Sequence, residues 1–442
     1  MTLQPEPIRA AEAHSECVAV SLDQATALLA DHRFGEARAA FVRALEADPR
    51  SRRAHAGLYN SLTAMGEASA AAAHLAKALE LRAFVTLPFR GPGKPIRVLL
   101  LQSILAGNVL VHRFLDDRIF AVDILLVEFW DQGAALPDHD LVFNAIGDAD
   151  TRREALVTAE RILTATSAPV LNSPEAVRAT SRAWNARRLS NLAGVRTPAV
   201  VPVSRQDLSD DSLDEVLLRS RLSLPILLRA PGFHMGQHFV RVASRDELLS
   251  ALDQMPGDEL LLIEHLDGRA PDGLYRKYRA LFLDGRIYPV HLAVSEHWKV
   301  HYFSAEMALH AERRDEDACF LADMPAVIGQ GAMAALERIE RALDLDYGGV
   351  DFGLNPAGDL LLYEANANMA VLRPGPEPIW DYRRSAVDHL FHAFQTMLRD
   401  KIVLAKAVSP CIPSGSVSSR SFSSRKAAPR NSGSGTVTVK RL

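Results

Sequence analysis

The chain has few cysteines and aromatics, no long apolar run and no marked excess of either charge. Three cysteines, Cys17, Cys319 and Cys411, lie far apart in 442 residues. Their odd number and spacing exclude a disulfide framework and a cysteine-based zinc site, and fit a reducing cytoplasm. No segment reaches the roughly 18 continuous apolar residues of a membrane span, and the acidic N-terminal stretch with Glu6, Glu12 and Glu16 lacks the shape of a signal peptide. A formal net charge of -4, from 50 basic and 54 acidic residues, carries no global field toward nucleic acid or anionic lipid. The expected partners therefore include neither nucleic acid nor membrane.

What is present is enough apolar sequence for two or three packed units. Residues 1–18 are expected to be a flexible N-terminus, and 19–88 a helical module. Within the module, LADHRFGEARAAFVRALEADP (29–49) and TAMGEASAAAAHLAKALEL (63–81) coincide at an offset of about 34 residues. Ala37 falls on Ala71, Ala44 on Ala78, Leu45 on Leu79 and Glu46 on Glu80, with Pro49 closing a helix. The pattern resembles tetratricopeptide helix pairs, which implies a surface for docking a protein or peptide. An alanine-rich helical hairpin is the alternative.

The glycines and prolines of FRGPGKP (89–95) break the helical pattern. The runs that follow at IRVLLLQSIL, FAVDILLVEF (120–129) and DLVFNAIG (140–147), with a helical stretch at 152–166, predict a small parallel α/β unit over 96–172. Residues 401–442 hold eight Lys or Arg and no acid among Ser, Pro and Gly. Such composition cannot bury enough apolar surface to offset its ordering entropy, so 408–442 is read as a disordered basic tail.

The segment YGGVDFGLNPAGDLLLYEANANMAV (347–371) predicts two strands joined by the turn NPAGD. Pairing across that turn places Asp351 and Glu364 on neighbouring strands and Asn366 on the face of Glu364. Three hard oxygen donors suit Mg²⁺ completed by substrate phosphates, and solvated surface charges are the competing explanation. Upstream, LPILLRAPGFHMGQHFVRV (223–242) reads as strand, loop and strand, with Gly232 and Gly236 able to bring backbone amides close to phosphate and Arg229 at the strand end. LLLIEHLDG (260–268) is an apolar strand running into polar residues. Lys277 and Arg279 share one face of a further strand within 272–298.

The order and spacing of Asp351, Glu364 and Asn366, with the ending YEANAN, resemble the metal-binding hairpin of the ATP-grasp superfamily. The segment VLNSPEAVRATSRAWNARRLSNLAGVRTPAVVPV (170–203) is similar to that family's connection into its nucleotide-binding lobes, here 173–400. The resemblance runs from roughly 96 to 398, nearest in flavour to glutathione synthetase, D-alanine ligase and ribosomal-protein glutamate ligase. It implies an α/β class (an ATP-grasp α+β fold behind a small parallel α/β domain and the all-α module). It also implies a ligase that activates a small-molecule carboxylate as an acyl phosphate and joins it to an amine.

The same resemblance implies ATP and two Mg²⁺, with Mn²⁺ as a substitute, and assigns the metal to Asp351, Glu364 and Asn366. Glu264, His265 and Leu266 would edge the adenine and Asp272 the ribose. Arg229, standing where the family carries a lysine, and the two glycines would bind phosphate, and Arg279 would stabilise the anionic intermediate. Two departures stand out. Gly349 replaces the arginine that D-alanine ligase carries two positions before its metal aspartate, and Lys277 replaces an acid two positions before Arg279. Two further readings stay open: an ATP-binding scaffold with weakened catalysis and repeat-mediated docking, and an enzyme of the same fold making a phosphorylated product. Specificity is expected from 96–172, from SEHWKVHYFSAEM (295–307) and from NMAVLRPGP (368–376); buried packing is the other explanation for His297, Trp298, His301 and Tyr302.

Overall fold

A computed structural model describes residues 22, 24–29, 33–79, 84–104, 107–131, 133–208, 213–231 and 236–408. The expectations for 1–18, for Gly232 and for the tail beyond Val408 fall outside these residues. Residues 22 and 24–29 are helical, and three helices follow: α1 (Phe34–Ala47), α2 (Arg52–Ala64) and α3 (Ala68–Leu79). Ala37, Ala40, Phe41 and Ala44 recur every three or four positions and form the buried stripe of α1. Gly57 of α2 lets the helices approach, since a Cβ there would sit 2.3 Å from the Phe41 ring. Ser51 starts α2 by accepting the Ala54 amide.

The first sheet holds β1 (Phe84–Thr86), β2 (Ile96–Gln102), β3 (Phe120–Leu126), β4 (Leu141–Asn144) and β5 (Val170–Leu171), in the order β1-β3-β2-β4-β5. β2 to β5 are parallel, and α4 (Arg153–Leu163) packs beside them. The apolar run of β2 is explained by burial on both faces. β1 differs from the expectation of helix to residue 88 and of an all-parallel sheet. Phe84–Thr86 adds an antiparallel edge by pairing with Asp123–Leu125.

Helices α5 (Pro174–Arg178) and α6 (Arg182–Leu189) lead into β6 (Val195–Arg196) and the second sheet. That sheet comprises β7 (Val200–Ser204), β8 (Ile226–Arg229), β9 (Phe239–Val242) and β10 (Glu259–Glu264), antiparallel in the order β7-β10-β8-β9, with α7 (Leu213–Ser220) and α8 (Arg245–Leu252). A third sheet is built from β11 (Tyr275–Leu283), β12 (Arg286–Ser295), β13 (Tyr347–Leu354) and β14 (Leu360–Asn366), closed by β6, in the order β12-β11-β13-β14-β6. Between β12 and β13 run α9 (Ala311–Ala322) and α10 (Met324–Leu343), and the described residues end in α11 (Asp381–Val408).

Two cores join the first and third sheets to their helices, while the second sheet and the N-terminal helices each have a core of their own. One joins Phe282, Leu292 and Val350 of the third sheet to Leu336 and Ile339 of α10. The other joins Tyr347 and Leu281 to Phe391 and Phe394 of α11 and to Val98, Leu100 and Phe143 of the first sheet. Asn172, just beyond β5, makes the register specific: its side chain donates to the Tyr347 carbonyl at 2.7 Å and accepts the Tyr347 amide at 2.8 Å. The loops at the carboxyl ends of the first parallel strands are thereby fixed beside β13 and β14. Among the described residues no single helix is long and apolar enough to cross a membrane; α9 and α10 pass such a test only jointly, and they are bent by 62° at their junction.

Candidate active site

Cross-strand register assembles the centre of the site. Arg279 of β11 faces Asp351 of β13, Asp351 faces Glu364 of β14, and Gly349 faces Asn366. Lys277, two residues from Arg279, shares its side of the sheet. Asp351 is 3% exposed. Arg279 donates from Nε to its Oδ1 at 2.6 Å and from Nη2 to its Oδ2 at 2.8 Å, and Lys277 Nζ donates to Oδ2 at 3.0 Å. Burial alone would raise the Asp351 carboxyl, but the charges of Arg279 and then Lys277 outweigh it and hold the group far below the usual carboxylate range. Burial likewise opposes the charge on Arg279, and Asp351 more than restores it.

Glu364 is held differently. Arg182, in the first turn of α6, donates from Nη2 to Glu364 Oε1 at 2.5 Å and from Nη1 to Asp150 Oδ2 at 2.9 Å; its backbone amide donates to Asp150 Oδ1 at 3.1 Å. Asp150 lies in the loop after β4. That loop is shaped by Asp148, which accepts the amides of Asp150 and Thr151 and the Thr151 hydroxyl. Burial raises the Asp150 carboxyl although Arg182 draws it back. Asn185, one turn along α6, fixes the helix by donating to the Ala365 carbonyl at 2.6 Å.

Arg229 closes β8 in the second sheet. Its guanidinium is brought down to about 10, first by burial and then by the neighbouring charge of Arg182, against the pull of Glu364 and Asp150. The second sheet therefore presents Arg229 to the same ionic cluster. Its guanidinium lies 5.3 Å from the Phe239 ring centroid. Gly236 has φ of +74° and accepts Lys299 Nζ at 3.1 Å through its carbonyl, as Phe239 does at 3.2 Å. The loop after β12 thus reaches across to the start of β9, with Trp298 packed edge-on against Phe239 and His265.

Lys277 and Arg279 meet on Asp351, Glu364 is paired with Asp351 across the strands, Asn366 lies two residues from Glu364 on the same side of β14, and Arg229 feels the charge of Glu364. Asn366 Oδ1 accepts the Asn368 amide at 2.8 Å. Glu264 ends β10, where its carboxylate pairs with Arg196 at 2.8 Å and accepts the Ala199 amide, so it holds the entry to β7. His265 and Leu266 follow it, half-buried. Asp272 is not brought in. Its carboxylate pairs with Arg276, which also binds Glu316, and Arg276 alternates with Lys277 and Arg279 to the opposite side of β11. Hydrogen bonding by Arg276 lowers that carboxyl to about 2.

Arg182, Asp150 and Asp148 escaped the sequence reasoning. Their one signal is DADT directly after a buried parallel strand, the edge where open α/β sheets collect polar function. As donors, Asp351, Glu364 and Asn366 are all hard oxygens on one side of a hairpin, which fits Mg²⁺ by chemistry and adjacency. Among the described residues no three His, Cys, Asp or Glu cluster as a metal site, so a third protein donor beside the two carboxylates would have to be the Asn366 amide. A carboxylate offers about four lone-pair sites, so an ion can share Asp351 and Glu364 with the arginines that hold them.

No family model matches the chain, and no curated protein matches it. Among solved structures it is similar to a D-alanine–D-alanine ligase from Bacillus anthracis, at 14% identity and a TM-score of 0.46 over 71% of this chain and 99% of that one. It is similar also to the VanG D-Ala:D-Ser ligase from Enterococcus faecalis, at 15% identity and 0.42 over 71% and 100%. A third likeness is to a RimK domain ATP-grasp protein from Sphaerobacter thermophilus, at 16% identity and 0.41 over 70% and 99%.

Proposed function

We propose that the chain is an ATP-dependent ligase that activates a carboxylate as an acyl phosphate and joins it to an amine, releasing ADP and phosphate. The observation that carries this reading is the face of the third sheet. There two directly paired carboxylates, Asp351 and Glu364, stand among Lys277, Arg279 and Arg182, with Arg229 presented from the second sheet. Phosphoryl transfer asks a protein mainly for positioning and for charge that neutralises oxygen anions, and needs no protein nucleophile. Asp351, Glu364 and Asn366 would hold Mg²⁺, which supplies charge neutralisation at phosphate oxygens. Arg229 and Lys277 would hold phosphate, and Arg279 would face the charge that develops on the acyl group. The edge of β10 at His265 and Leu266 would receive the adenine.

The carboxylate and amine would enter beside the Asp148–Asp150 loop, which Arg182 ties to Glu364. We further propose that the helical module of α1 to α3 docks a protein or peptide partner and that the enzyme works in the cytoplasm. The test incubates the full chain with ATP, Mg²⁺ and pooled carboxylic and amino acids while phosphate release and new masses are followed. Phosphate release with a product mass equal to acid plus amine minus water supports the ligase. Binding of Mg-ATP with no turnover in any pool would favour the scaffold reading, and a phosphorylated product would favour a kinase-like one.

A further inference from the structure

Behind Arg279 the structure stacks three side chains that the proposed chemistry does not use. His291 of β12 is the cross-strand neighbour of Arg279 on the side away from Asp351, and is only 7% exposed. Its ring lies 4.7 Å from that of Tyr302, centroid to centroid. The Arg383 guanidinium covers Tyr302 at 4.4 Å from the ring centroid. Arg383 is anchored in turn: its Nε lies 3.6 Å from Oδ2 of Asp317, a fully buried carboxylate that accepts the Leu292 amide at 2.7 Å and the Tyr382 hydroxyl at 2.7 Å. The row therefore reads Asp317, Arg383, Tyr302, His291, Arg279, Asp351, contributed by α9, α11, the turn after β12 and three strands.

The order of charges has a physical logic. Two guanidiniums flank two rings, and each guanidinium has its own carboxylate at the outer end. A neutral imidazole fits between them, whereas a protonated one would add a third positive charge. Burial, and next the charge of Arg279, hold His291 well below its usual titration range. A flexible arginine loses side-chain freedom when it is fixed, and rings packed behind it fix it without competing for its N–H donors.

We propose that His291, Tyr302 and Arg383 are positioning residues for Arg279, holding its guanidinium in the two-point geometry on Asp351. The effect on turnover rests on the ligase reading given above; the effect on Arg279 geometry does not. The substitutions Tyr302→Leu, which removes the ring, and Tyr302→Phe, which keeps it, are made in the full chain and compared by crystal structure and by single-turnover rate at saturating Mg-ATP. The Leu variant should show Arg279 departing from its two-point contact with Asp351, nucleotide affinity within about twofold of the parent, and a rate about tenfold lower. The Phe variant should keep the contact and most of the rate. In an Arg279→Lys background, Tyr302→Leu should cost almost nothing further, since the two substitutions act on one element.

An Arg279 guanidinium unmoved in the Leu variant would overturn the proposal, as would losses that simply add in the double variant. Should Tyr302→Leu fail to fold, Arg383→Met removes the outer cation with similar bulk, and the same criteria apply to it. A parent without nucleotide-dependent turnover would sink the ligase reading alone, leaving the crystal structures to decide whether the stack aims Arg279.

Discussion

Each charged group of the site is defined by the partner that keeps it ionised in a buried place. Asp351 without Arg279 and Lys277 would be an uncompensated buried carboxylate, and Arg279 without Asp351 an uncompensated guanidinium. This mutual dependence separates two predictions. Asp351→Asn or Glu364→Gln removes one anionic oxygen donor, and Mg-ATP affinity measured by calorimetry should weaken sharply; unchanged affinity in both variants would remove them from metal binding. Arg279→Ala should leave nucleotide affinity within a few-fold but lower single-turnover rate by about two orders of magnitude, the usual cost of losing a preorganised cation at developing charge. Parent-like turnover there would shift the role to Arg229 or Lys277.

At the scale of elements, the third sheet explains a departure that sequence could only register. A Cβ on Gly349 would sit 2.6 Å from the Ala280 carbonyl oxygen and 2.8 Å from Met369 Cγ. Any side chain at this position meets the backbone of β11, so position 349 carries no cation, whereas Arg279 supplies one from β11 itself. Gly349→Ala is accordingly expected to destabilise the fold by about 1–3 kcal/mol through overpacking, seen as a lower melting temperature at unchanged active-site composition; an unchanged melting temperature would show that β11 gives way freely. The hairpin of β13 and β14 was legible because alternation, the NPAGD turn and the polar strand end agree, but the pairing of Asp351 with Glu364 depends on a register shift between Asp351 and Phe352 that nothing in the sequence announces. The loop contacts were not legible either. Asp272 reads as close to Lys277 along the chain, yet an ion pair with Arg276 carries it to the other side of the strand. Arg182 reads as one of several arginines in a helix, and only folding brings it 2.5 Å from a residue 182 positions away.

For the whole molecule, the first and third sheets are joined by one ionic chain, and its middle member is Arg182. Asp150 belongs to the first sheet's carboxyl-edge loop and Glu364 to the third sheet, while Arg229 of the second sheet feels the charge of Arg182. The segment 408–442, by contrast, is read from its composition as having no core to lose. Its deletion should shift the melting temperature by less than about 5 °C and leave ATP turnover nearly unchanged. Arg182 should behave in the opposite way. Arg182→Met keeps most of its bulk but leaves Asp150 and Glu364 facing each other, both negative and both partly screened from water, where losing one partner of a charge-assisted contact costs about 1–3 kcal/mol. Because burial already raises the Asp150 carboxyl, losing its cation should raise it further, so the variant should be least stable relative to the parent at high pH and recover part of the difference as pH falls and Asp150 takes up a proton. Melting curves of parent and Arg182→Met from pH 8 down to 5 test this directly. A gap that stays constant or widens toward acid would show that Arg182 serves only as packing between the units.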